Sequence, residues 1–571
     1  MAAADAPNRA TPTAAGRLTT PTLSARDENP VKKDRQDGHV TLRARLDSDQ
    51  LAAVLAAGLL ASLLVWLGPQ GTDLAAHAYQ RALFAQHGFV LWNNFWYDGR
   101  YSFVTYSILY YPLAALLGIK LLAVVSVALA VAGFGAVIRH EWGARSRWPL
   151  RVFAVAWAAL VVSAAFPFML GCAFALLALR SLQLGRRAWF AALAAAALAA
   201  SPLAFVLLAV VLGGVGVSRR REAAAFAVPA AAIAAIAGFE LLLQRMFPAH
   251  GIFPFSVAEF VAALTFCVLG LGLTWRVAEA RALRSMYAAY LVACTAAFVV
   301  ASPIGENIAR LRFFAAPIAV LTLSLRNWRP RIVCVGVLAL AVSWNVTPLA
   351  ASFANGVGDP ASHAAYWAPT TRFLRTHLSP GYRVEAVDTA NHWPAEFLAR
   401  AGIPLARGWF RQEDFPQNRL LYEPLGARAY VAWLRRTSVR YVVLTTRPPD
   451  YSARGEARLL ASGRAGLPVA FATPTVKIFA VPSPRPLINP PARVRSIGYA
   501  TIALSVPRAG VYHLSVTYTP YWQSDTVCLQ RAADGMTRLV IRKPGLVRLR
   551  FAVTADRVLD TLTDEPPEPC R

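Results

Sequence analysis

The chain has 571 residues, of which 56% are hydrophobic and only 16% are charged, and this composition is too apolar for a soluble protein. The formal net charge of +27 comes almost entirely from arginine, because the sequence contains only five lysines. The arginines form many short clusters between apolar segments, which excludes the single basic stripe expected of a nucleic-acid-binding protein. The composition therefore predicts a membrane protein without a nucleic-acid partner.

The first 48 residues are rich in alanine, threonine, proline and charged residues, and they are predicted to form a disordered tail. Apolar segments of a length suited to crossing a bilayer then recur up to about residue 348. We predict eleven spans, at 49–68, 119–138, 151–166, 168–184, 188–200, 203–217, 224–246, 257–275, 286–302, 313–326 and 331–348. The segment 104–118 is either a further crossing or a helix at the membrane surface.

Arginine clusters predict which side of the membrane each connection faces, because cytoplasmic loops are enriched in basic residues. With the N-terminus in the cytoplasm, five such clusters fall inside, around residues 139–147, 180–187, 219–221, 276–284 and 326–331. The first loop (residues 69–103), the loops 247–256 and 303–312, and everything after residue 349 then face the outside. The sequence thus predicts a mostly α-helical, multi-pass protein of the plasma membrane whose helical domain covers residues 49–348.

The C-terminal part is predicted to form two extracytoplasmic domains. Helix-like and strand-like stretches alternate over 349–490, which indicates an α/β domain, whereas short alternating strands over 491–571 indicate a β-sandwich. Cys528 and Cys570 are the only cysteines of this region, and we predict a disulfide between them. With 28 Lys or Arg against 16 Asp or Glu, residues 349–571 should favour anionic lipid head groups or acidic polymers.

The first loop opens with Asp73, directly after the first span. Asp73 and His77 are separated by one turn of a predicted helix and therefore share a face. Two interpretations remain open for Asp73: it caps this helix through its side chain, or it takes part in chemistry at the membrane surface. His77 is either a part of the same site or an ordinary interfacial side chain.

The aromatic segment, residues 89–111, contains ten aromatic residues among 23. An aromatic belt at the bilayer surface explains part of this enrichment. The segment also carries amide, hydroxyl and charged groups, and this mixture of flat apolar faces with polar groups suits a sugar. The candidate sugar-binding residues are Trp92, Asn93, Tyr97, Asp98, Arg100 and Tyr101.

A second polar group lies in the loop between two late spans, on the same predicted side. Arg310 and Arg312 are unusual there, because outer loops are depleted of basic residues, and a lipid phosphate would balance their charge. Glu306 and Asn307 precede them and are further candidates for substrate binding. The alternative is that both arginines contact ordinary phospholipid head groups.

These motifs resemble the GT-C superfamily of integral-membrane glycosyltransferases, and within it a group of actinobacterial membrane proteins. The resemblance rests on Asp73 with His77, on "WYDGRYSFVTYSILYYPLAALLG", and on the later "GENIARLRFF", "ARGWFRQEDFPQNRLLY", "YVAWLRRTSVRYVVL" and "SVTYTPYW". It implies transfer of a sugar from a polyprenyl-phosphate carrier to an acceptor at the outer face, with Asp73 as the general base. Many relatives have a second acid in this loop, where residue 74 is leucine here.

The resulting hypothesis is an inverting glycosyltransferase that uses no cofactor beyond its lipid-linked donor; a divalent metal is possible, but the sequence does not support one. Arg310, assisted by Arg312 or Arg100, would stabilise the leaving phosphate. Arabinofuranose is the expected sugar and mannose its main competitor, and the acceptor would be a cell-envelope glycan or glycolipid. Two other classes stay open: a secondary transporter that uses Glu240 within its spans, and a scaffold that binds envelope glycan without catalysis.

Overall fold

The computed structural model describes residues 30–219, 223–248 and 251–563. The chain divides into a short N-terminal unit, Met1–Ser48, and a main unit, Asp49–Arg571. Helix α1 begins at Pro30, within the segment predicted to be a disordered tail, and the part of that tail before Pro30 lies outside the described residues. Residues 31–48 contain no proline, so nothing in their backbone chemistry stops the apolar helix from extending toward its N-terminus.

The described part of the chain up to residue 356 is almost entirely helical. Its helices are α1 Pro30–Leu67, α2 Leu74–His87, α3 Tyr110–Leu117, α4 Ile119–Trp142, α5 Arg147–Ala159, α6 Phe166–Gln183, α7 Arg187–Ala200, α8 Pro202–Ser218, α9 Ala223–Met246, α10 Val257–Thr274, α11 Arg281–Val299, α12 Ala315–Leu325 and α13 Arg331–Gly356. Each of the eleven predicted spans overlaps one of the helices α1 and α4 to α13.

Eight segments of the described residues are long and apolar enough to cross a membrane. They are Asp47–Leu67, Ile119–Ser163, Phe166–Gln183, Phe226–Met246, Val257–Thr274, Ala278–Val299, Gly305–Leu325 and Arg331–Gly356. The second of these, 45 residues long, contains both α4 and α5, and the shorter apolar helices α7 and α8 lie between the third and the fourth. The chain is thus a multi-pass membrane protein.

Burial differs strongly among these helices. Helix α6 and the segment that includes α12 are mostly buried, whereas α1 and α9 expose most of their apolar side chains, as helices that face lipid do. The segment 104–118, left open above, contains only the eight-residue helix α3. A helix of this length cannot cross a hydrocarbon core.

The first C-terminal domain is an α/β fold. Its helices are α14 Ala364–His377, α15 Trp393–Arg400, α16 Ala427–Arg436 and α17 Arg454–Ala461. The strands β1 Trp92–Asn93 and β2 Arg100–Tyr101 form a short pair in the first loop. The strands of this domain are β3 Arg383–Ala386, β4 Val439–Thr445, β5 Val469–Ala472 and β6 Val476–Ala480. The sheet has the order β3-β4-β6-β5, and only β3 and β4 run parallel. All four residues of β3 and most residues of β4 are buried; β4 is mostly apolar, whereas β3 buries the charged Arg383 and Glu385.

The second C-terminal domain consists of two packed antiparallel sheets and a final helix. Its elements are β7 Arg493–Ile497, β8 Thr501–Val506, β9 Gly510–Thr517, β10 Trp522–Gln523, β11 Val527–Arg531, β12 Met536–Ile541, β13 Gly545–Phe551 and α18 Ala555–Thr563. One sheet has the order β10-β13-β8-β7 and the other β11-β12-β9. Alternate residues such as Leu504, Leu514, Leu539 and Leu549 point into the shared core, as the period-two sequence pattern predicts.

The aromatic segment connects all three parts of the main unit. Phe103 belongs to the core of the helical domain, Trp96 and Tyr97 to that of the α/β domain, and Trp92 and Tyr101 to that of the sandwich. Because each aromatic ring buries a large apolar area, this one segment fixes both C-terminal domains on the helical domain.

Candidate active site

Asp73 lies directly in front of helix α2, at the position where an aspartate often caps a helix, but its side chain makes no capping hydrogen bond. Its backbone is fixed by tight packing on the turn before α6. The Asp73 amide donates to the carbonyl of Ser163 at 3.2 Å, and a Cβ at Gly71 would lie 2.6 Å from the carbonyl oxygen of Val162. The position of the carboxylate is therefore set, while its oxygens remain available for contacts other than a cap.

Two donors from distant parts of the chain approach this carboxylate. The indole Nε1 of Trp409 donates to Asp73 Oδ1 at 3.2 Å, and Arg310 Nη2 lies 3.9 Å from Asp73 Oδ2. The side chains of Asp73 and Arg310 are 19% and 23% exposed, so both are partly open to solvent. The structure thus places an acid and a guanidinium side by side at one accessible position.

Arg310 lies on a ten-residue 3-10 helix, Gly305–Phe314. Runs of this length are uncommon because the 3-10 hydrogen-bond geometry is poor, and they often mark functional segments. The guanidinium carbon is 5.8 Å from the ring centre of Phe168 on α6. Its charge is therefore held between an aromatic face and a carboxylate.

Arg312 points elsewhere, because residues two apart on a helix do not share a face. Its Nη1 lies 3.0 Å from Glu259 Oε1, on α10, and Glu259 also accepts a hydrogen bond from the indole of Trp344 at 3.1 Å. Arg312 is thus engaged in a separate ion pair, which differs from the shared phosphate contact predicted for it and Arg310.

His77 lies one turn after Asp73 and is completely buried. Its Nδ1 lies 3.2 Å from the hydroxyl of Tyr111, and its Nε2 has no hydrogen-bond partner within the described part of the chain. Burial, together with the positive charge of Arg310, lowers the pKa of His77 to about 3. The imidazole is therefore neutral near pH 7 and contributes a wall of the site, not a charge.

Aromatic rings surround this part of the site. The ring of Trp409 lies 5.6 Å from that of His77 and 5.7 Å from that of Tyr106, both edge-on, and Phe410 lies 5.3 Å from Tyr106. Such edge-to-face contacts give the rings a defined orientation. The rings beside Asp73 therefore come from residues 106, 409 and 410, and not from the predicted sugar-binding residues 92, 97 and 101.

Trp409 is carried by the 407–414 loop of the α/β domain, which buried ion pairs hold in place. Arg407 Nη2 lies 2.8 Å from Asp414 Oδ2, and Arg411 pairs with both Asp388 and Asp450. Burial alone would raise the pKa of Asp414, but the Arg407 guanidinium keeps it below its ordinary value. The loop is thus fixed by charges that require each other, because removing one partner would leave the other buried and unpaired.

The predicted sugar-binding residues of the aromatic segment are buried in interfaces between domains. Tyr97 donates to the carbonyl of Phe410 at 2.5 Å, Tyr101 lies 2.6 Å from the hydroxyl of Thr519, and Asn93 exchanges hydrogen bonds with Tyr79. Trp92 is 1% exposed. This placement differs from the predicted sugar contact, because the three rings pack the first loop against the C-terminal domains and Asn93 bonds within the loop itself.

The charged residues of the aromatic segment have partners as well. Arg100 lies 3.2 Å from Glu413, donates to Thr105, and its guanidinium carbon is 3.8 Å from the ring centre of Phe410. Asp98 lies 3.0 Å from Arg383, and burial raises the pKa of Asp98 despite this contact. Because the Arg100 guanidinium already contacts Glu413, Thr105 and Phe410, the assisting role predicted for it at the donor phosphate has no geometric support.

Glu306 and Asn307 lie at the start of the 3-10 helix that carries Arg310 and are partly exposed. The Glu306 carboxylate accepts a hydrogen bond from the Ser256 amide at 3.0 Å, which connects this segment to the start of α10. Their assignment to substrate binding stays a prediction.

Glu240, the candidate residue for a secondary transporter, accepts a hydrogen bond from Gln244 one turn later on α9.

An apolar cavity of about 410 Å³ opens between α4, α6, α8, α11 and α12. Its lining includes Leu311 and Phe314, which follow Arg310 by one and four residues, and also Glu141 and Arg219. The cavity therefore lies among the membrane helices and is in contact with the segment that carries Arg310. Its lining is mostly aliphatic and aromatic, which suits a hydrocarbon chain.

The last side chains to consider are those that could bind a metal ion or form a disulfide. No three His, Cys, Asp or Glu side chains of the described ranges form a group that could hold a metal ion. Cys528 lies on β11, and Cys570 lies outside the described residues, so their disulfide stays a prediction. The four cysteines of the membrane helices, Cys172, Cys267, Cys294 and Cys334, are buried free thiols.

Comparison with known proteins gives similarity only at the level of three-dimensional structure. No protein-family model and no curated protein match the chain. The structure is similar to the cryo-EM structure of arabinofuranosyltransferase AftD from Mycobacteria, with a TM-score of 0.43 and 17% identity over 77% of this chain and 40% of that one. A mutant of the same enzyme gives a TM-score of 0.43 and 15% identity over 90% of this chain and 60% of that one. The chain thus spans between two fifths and three fifths of the length of these relatives.

Proposed function

We propose that the protein is a GT-C-type glycosyltransferase that moves a sugar, with inversion, from a polyprenyl-phosphate carrier to a cell-envelope glycan or glycolipid at the outer face of the plasma membrane. The observation that carries this proposal is the Asp73 carboxylate, which makes no helix cap, stays accessible, and lies 3.9 Å from Arg310. A base for the acceptor and a cation for the donor phosphate are the two groups that the reaction requires. The resemblance of the surrounding motifs to GT-C enzymes points the same way.

In the proposed reaction, Asp73 accepts the proton of an acceptor hydroxyl as its oxygen attacks the anomeric carbon. The bond from this carbon to the phosphate oxygen breaks on the opposite side, so the configuration inverts. One carboxylate suffices for this step, and residue 74 need not be acidic. The hydrogen bond from Trp409 would keep one carboxylate oxygen engaged and direct the other toward the acceptor.

Arg310 would stabilise the negative charge that develops on the leaving polyprenyl phosphate. Guanidinium groups bind phosphate oxygens in a bidentate manner, and they do so most strongly where water is scarce. Since Arg310 lies beside Asp73 in the structure, donor binding would exchange a single long contact of 3.9 Å for two shorter ones to phosphate. Arg310 would therefore bind the donor and at the same time release Asp73 for its role as base.

The cavity of about 410 Å³ beside Leu311 and Phe314 would accommodate the isoprene units nearest the phosphate. The remainder of the prenyl chain would lie between lipid-facing helices. Tyr106, Trp409 and Phe410 would contact the sugar or the acceptor, and the C-terminal domains would bind the rest of the acceptor. Arabinofuranose is the donor sugar that we propose, with mannose as its competitor.

The test is sugar transfer in membranes that contain the protein, supplied with radiolabelled decaprenyl-phosphate arabinose and an envelope glycan. Asp73→Asn should abolish transfer while the protein is still produced, and Asp525→Asn, which changes an exposed acid of the sandwich, should not. Near-normal transfer by Asp73→Asn would remove Asp73 as the base. Decaprenyl-phosphate mannose, supplied in parallel, tests the choice of sugar.

A further inference from the structure

Four arginines line the outward face of the sheet β10-β13-β8-β7 in the sandwich domain. Arg493 and Arg495 lie on the edge strand β7, and Arg548 and Arg550 lie two strands away on β13; all four are exposed. We propose that this arginine face binds an extended acidic polysaccharide. The inference goes beyond the proposed transfer reaction and does not depend on it.

The strand register separates the arginines into two rows. Strand β8 lies between β7 and β13, and its outward residues are the small side chains Thr501, Ala503 and Ser505. Ser505 pairs with Arg493 on one side, and Ala503 pairs with Arg548 on the other. Neighbouring strands are about 4.8 Å apart, so the two rows stand about 10 Å apart over a floor of small residues. The result is a shallow trough wide enough for one extended chain.

The charge of this face is not balanced by the protein. The four strands of the sheet contain no Asp or Glu, and none of the four arginines pairs with a carboxylate anywhere in the described part of the chain. Like charges this close repel one another, since their separation is comparable to the screening length of about 8 Å at physiological ionic strength. A polyanion in the trough would relieve this repulsion, and guanidinium groups match carboxylates in geometry.

A polysaccharide fits this face better than a membrane does. Surfaces that insert into a bilayer combine basic residues with exposed aromatic or long apolar side chains. Here the residues between the arginines are threonine, alanine and serine, and the only large apolar side chain that these four strands expose is Leu546. A recessed floor of small polar residues offers room for sugar rings, whereas a flat bilayer surface would not enter it.

The experiment measures binding of polygalacturonate to the full-length protein in phosphatidylcholine nanodiscs. The Arg548→Gln/Arg550→Gln variant removes one row. The matched control, Arg531→Gln/Arg538→Gln, removes the same charge from exposed positions of the other sheet, on β11 and β12. We expect the first variant to weaken binding by roughly tenfold and the control by less than about twofold, because only the first changes the trough. Binding should also fall as salt rises.

Several results would overturn the proposal. These are unchanged binding by Arg548→Gln/Arg550→Gln, an equal loss with the control variant, or equally tight binding of neutral dextran. Loss of polygalacturonate binding when the nanodiscs contain phosphatidylglycerol would instead identify the membrane as the occupant. Thermal unfolding of both variants verifies that the sandwich is intact, and Arg493→Gln/Arg495→Gln on the opposite row repeats the test if the first variant does not fold.

Discussion

The indole nitrogen of Trp409 donates a hydrogen bond to the carboxylate of Asp73 across 336 residues of sequence, at a distance of 3.2 Å. The donor belongs to the α/β domain and the acceptor to the helical domain. The candidate active site is therefore not complete in the membrane helices alone. The ion pairs of Arg407 and Arg411, which hold the 407–414 loop, become part of what positions the base.

Removing this hydrogen bond alone should reduce sugar transfer. Trp409→Phe keeps an aromatic ring but cannot donate to Asp73, and a hydrogen bond to a charged group contributes about 1.5–3 kcal/mol. We expect kcat/KM to fall by roughly 10- to 100-fold with little change in the unfolding temperature. Trp433→Phe is the matched control, since its indole donates to Asn418 at 2.9 Å in the same domain and not to Asp73. Equal loss in both variants would mean that Trp409 acts only through the stability of the domain.

Arg310 and Arg312 should respond differently to substitution although only one residue separates them. Arg310→Lys retains a charge but loses the planar fork, so the KM for the lipid donor should rise by about tenfold. Arg312→Lys should leave that KM unchanged, because Arg312 pairs with Glu259 at 3.0 Å. Transfer assays at varied donor concentration distinguish the two. The same increase in KM for both variants would contradict the separate placement of the two side chains.

More of the fold than of the candidate site can be predicted from the sequence. A run of apolar residues is a local signal, so each predicted span overlaps a helix, and the alternation of Ile502, Leu504 and Val506 with small residues indicates their strand for the same reason. The pairing of Asp73 with Arg310 is partly predictable, because the parity of the spans places both loops on one side. The two residues then lie 3.9 Å apart.

The rest of the site depends on tertiary packing that the sequence does not display locally. Trp92 and Tyr101 have the composition of a sugar-binding surface, yet the same flat, apolar rings serve equally well to fill an interface, and the structure buries both. The sequence around Trp409 carries no local signal that its side chain would contact Asp73. Only the folded 407–414 loop brings it to the acid.

Filling the apolar cavity should exclude the prenyl chain. Ile318 on α12 lines the cavity, so Ile318→Trp would occupy part of its volume of about 410 Å³. We expect less polyprenyl lipid to co-purify with the variant, as measured by mass spectrometry of extracted lipid. Val268→Trp adds slightly more bulk to α10 at a position that is 52% exposed, and it should leave the lipid content unchanged. An unchanged amount of lipid in Ile318→Trp would place the prenyl chain elsewhere.

Trp92 should matter for stability and not for substrate binding. It is 1% exposed and stacks on Phe551 at 5.5 Å, so Trp92→Ala would leave a cavity where the first loop meets the sandwich. Substitutions of this kind cost about 3–5 kcal/mol. We expect a lower unfolding temperature, and for the protein that remains folded a KM for donor and acceptor near that of the wild type. A normal unfolding temperature with a raised acceptor KM would restore Trp92 as a sugar-binding residue.

The buried carboxyls of the α/β domain should make its stability depend on pH. Burial raises the pKa of Glu456 and Glu385 above the ordinary value of 4.5. A carboxyl whose pKa is higher in the folded protein than in the unfolded chain stabilises the folded state while it is protonated. This stabilisation is complete below the pKa of the unfolded chain, and it is lost as the pH rises through the pKa of the folded protein. By contrast, His392 and Arg411 hold the pKa of Asp388 at about 2, although burial alone would raise it. Asp388 therefore stays ionised above about pH 5, and the stability that it contributes does not change with pH there.

The domain should therefore lose stability between about pH 5 and pH 8, and Glu456→Gln should reduce that loss. Glutamine is neutral at both pH values, and its carbonyl oxygen can still accept the hydrogen bond that Tyr430 donates to Glu456. Thermal unfolding should show the variant to be more stable than the wild type by about 1–2 kcal/mol at the higher pH, with a smaller difference at the lower pH. A variant that is less stable at both pH values by the same amount would mean that Glu456 is ionised in the folded protein and pairs with Arg407.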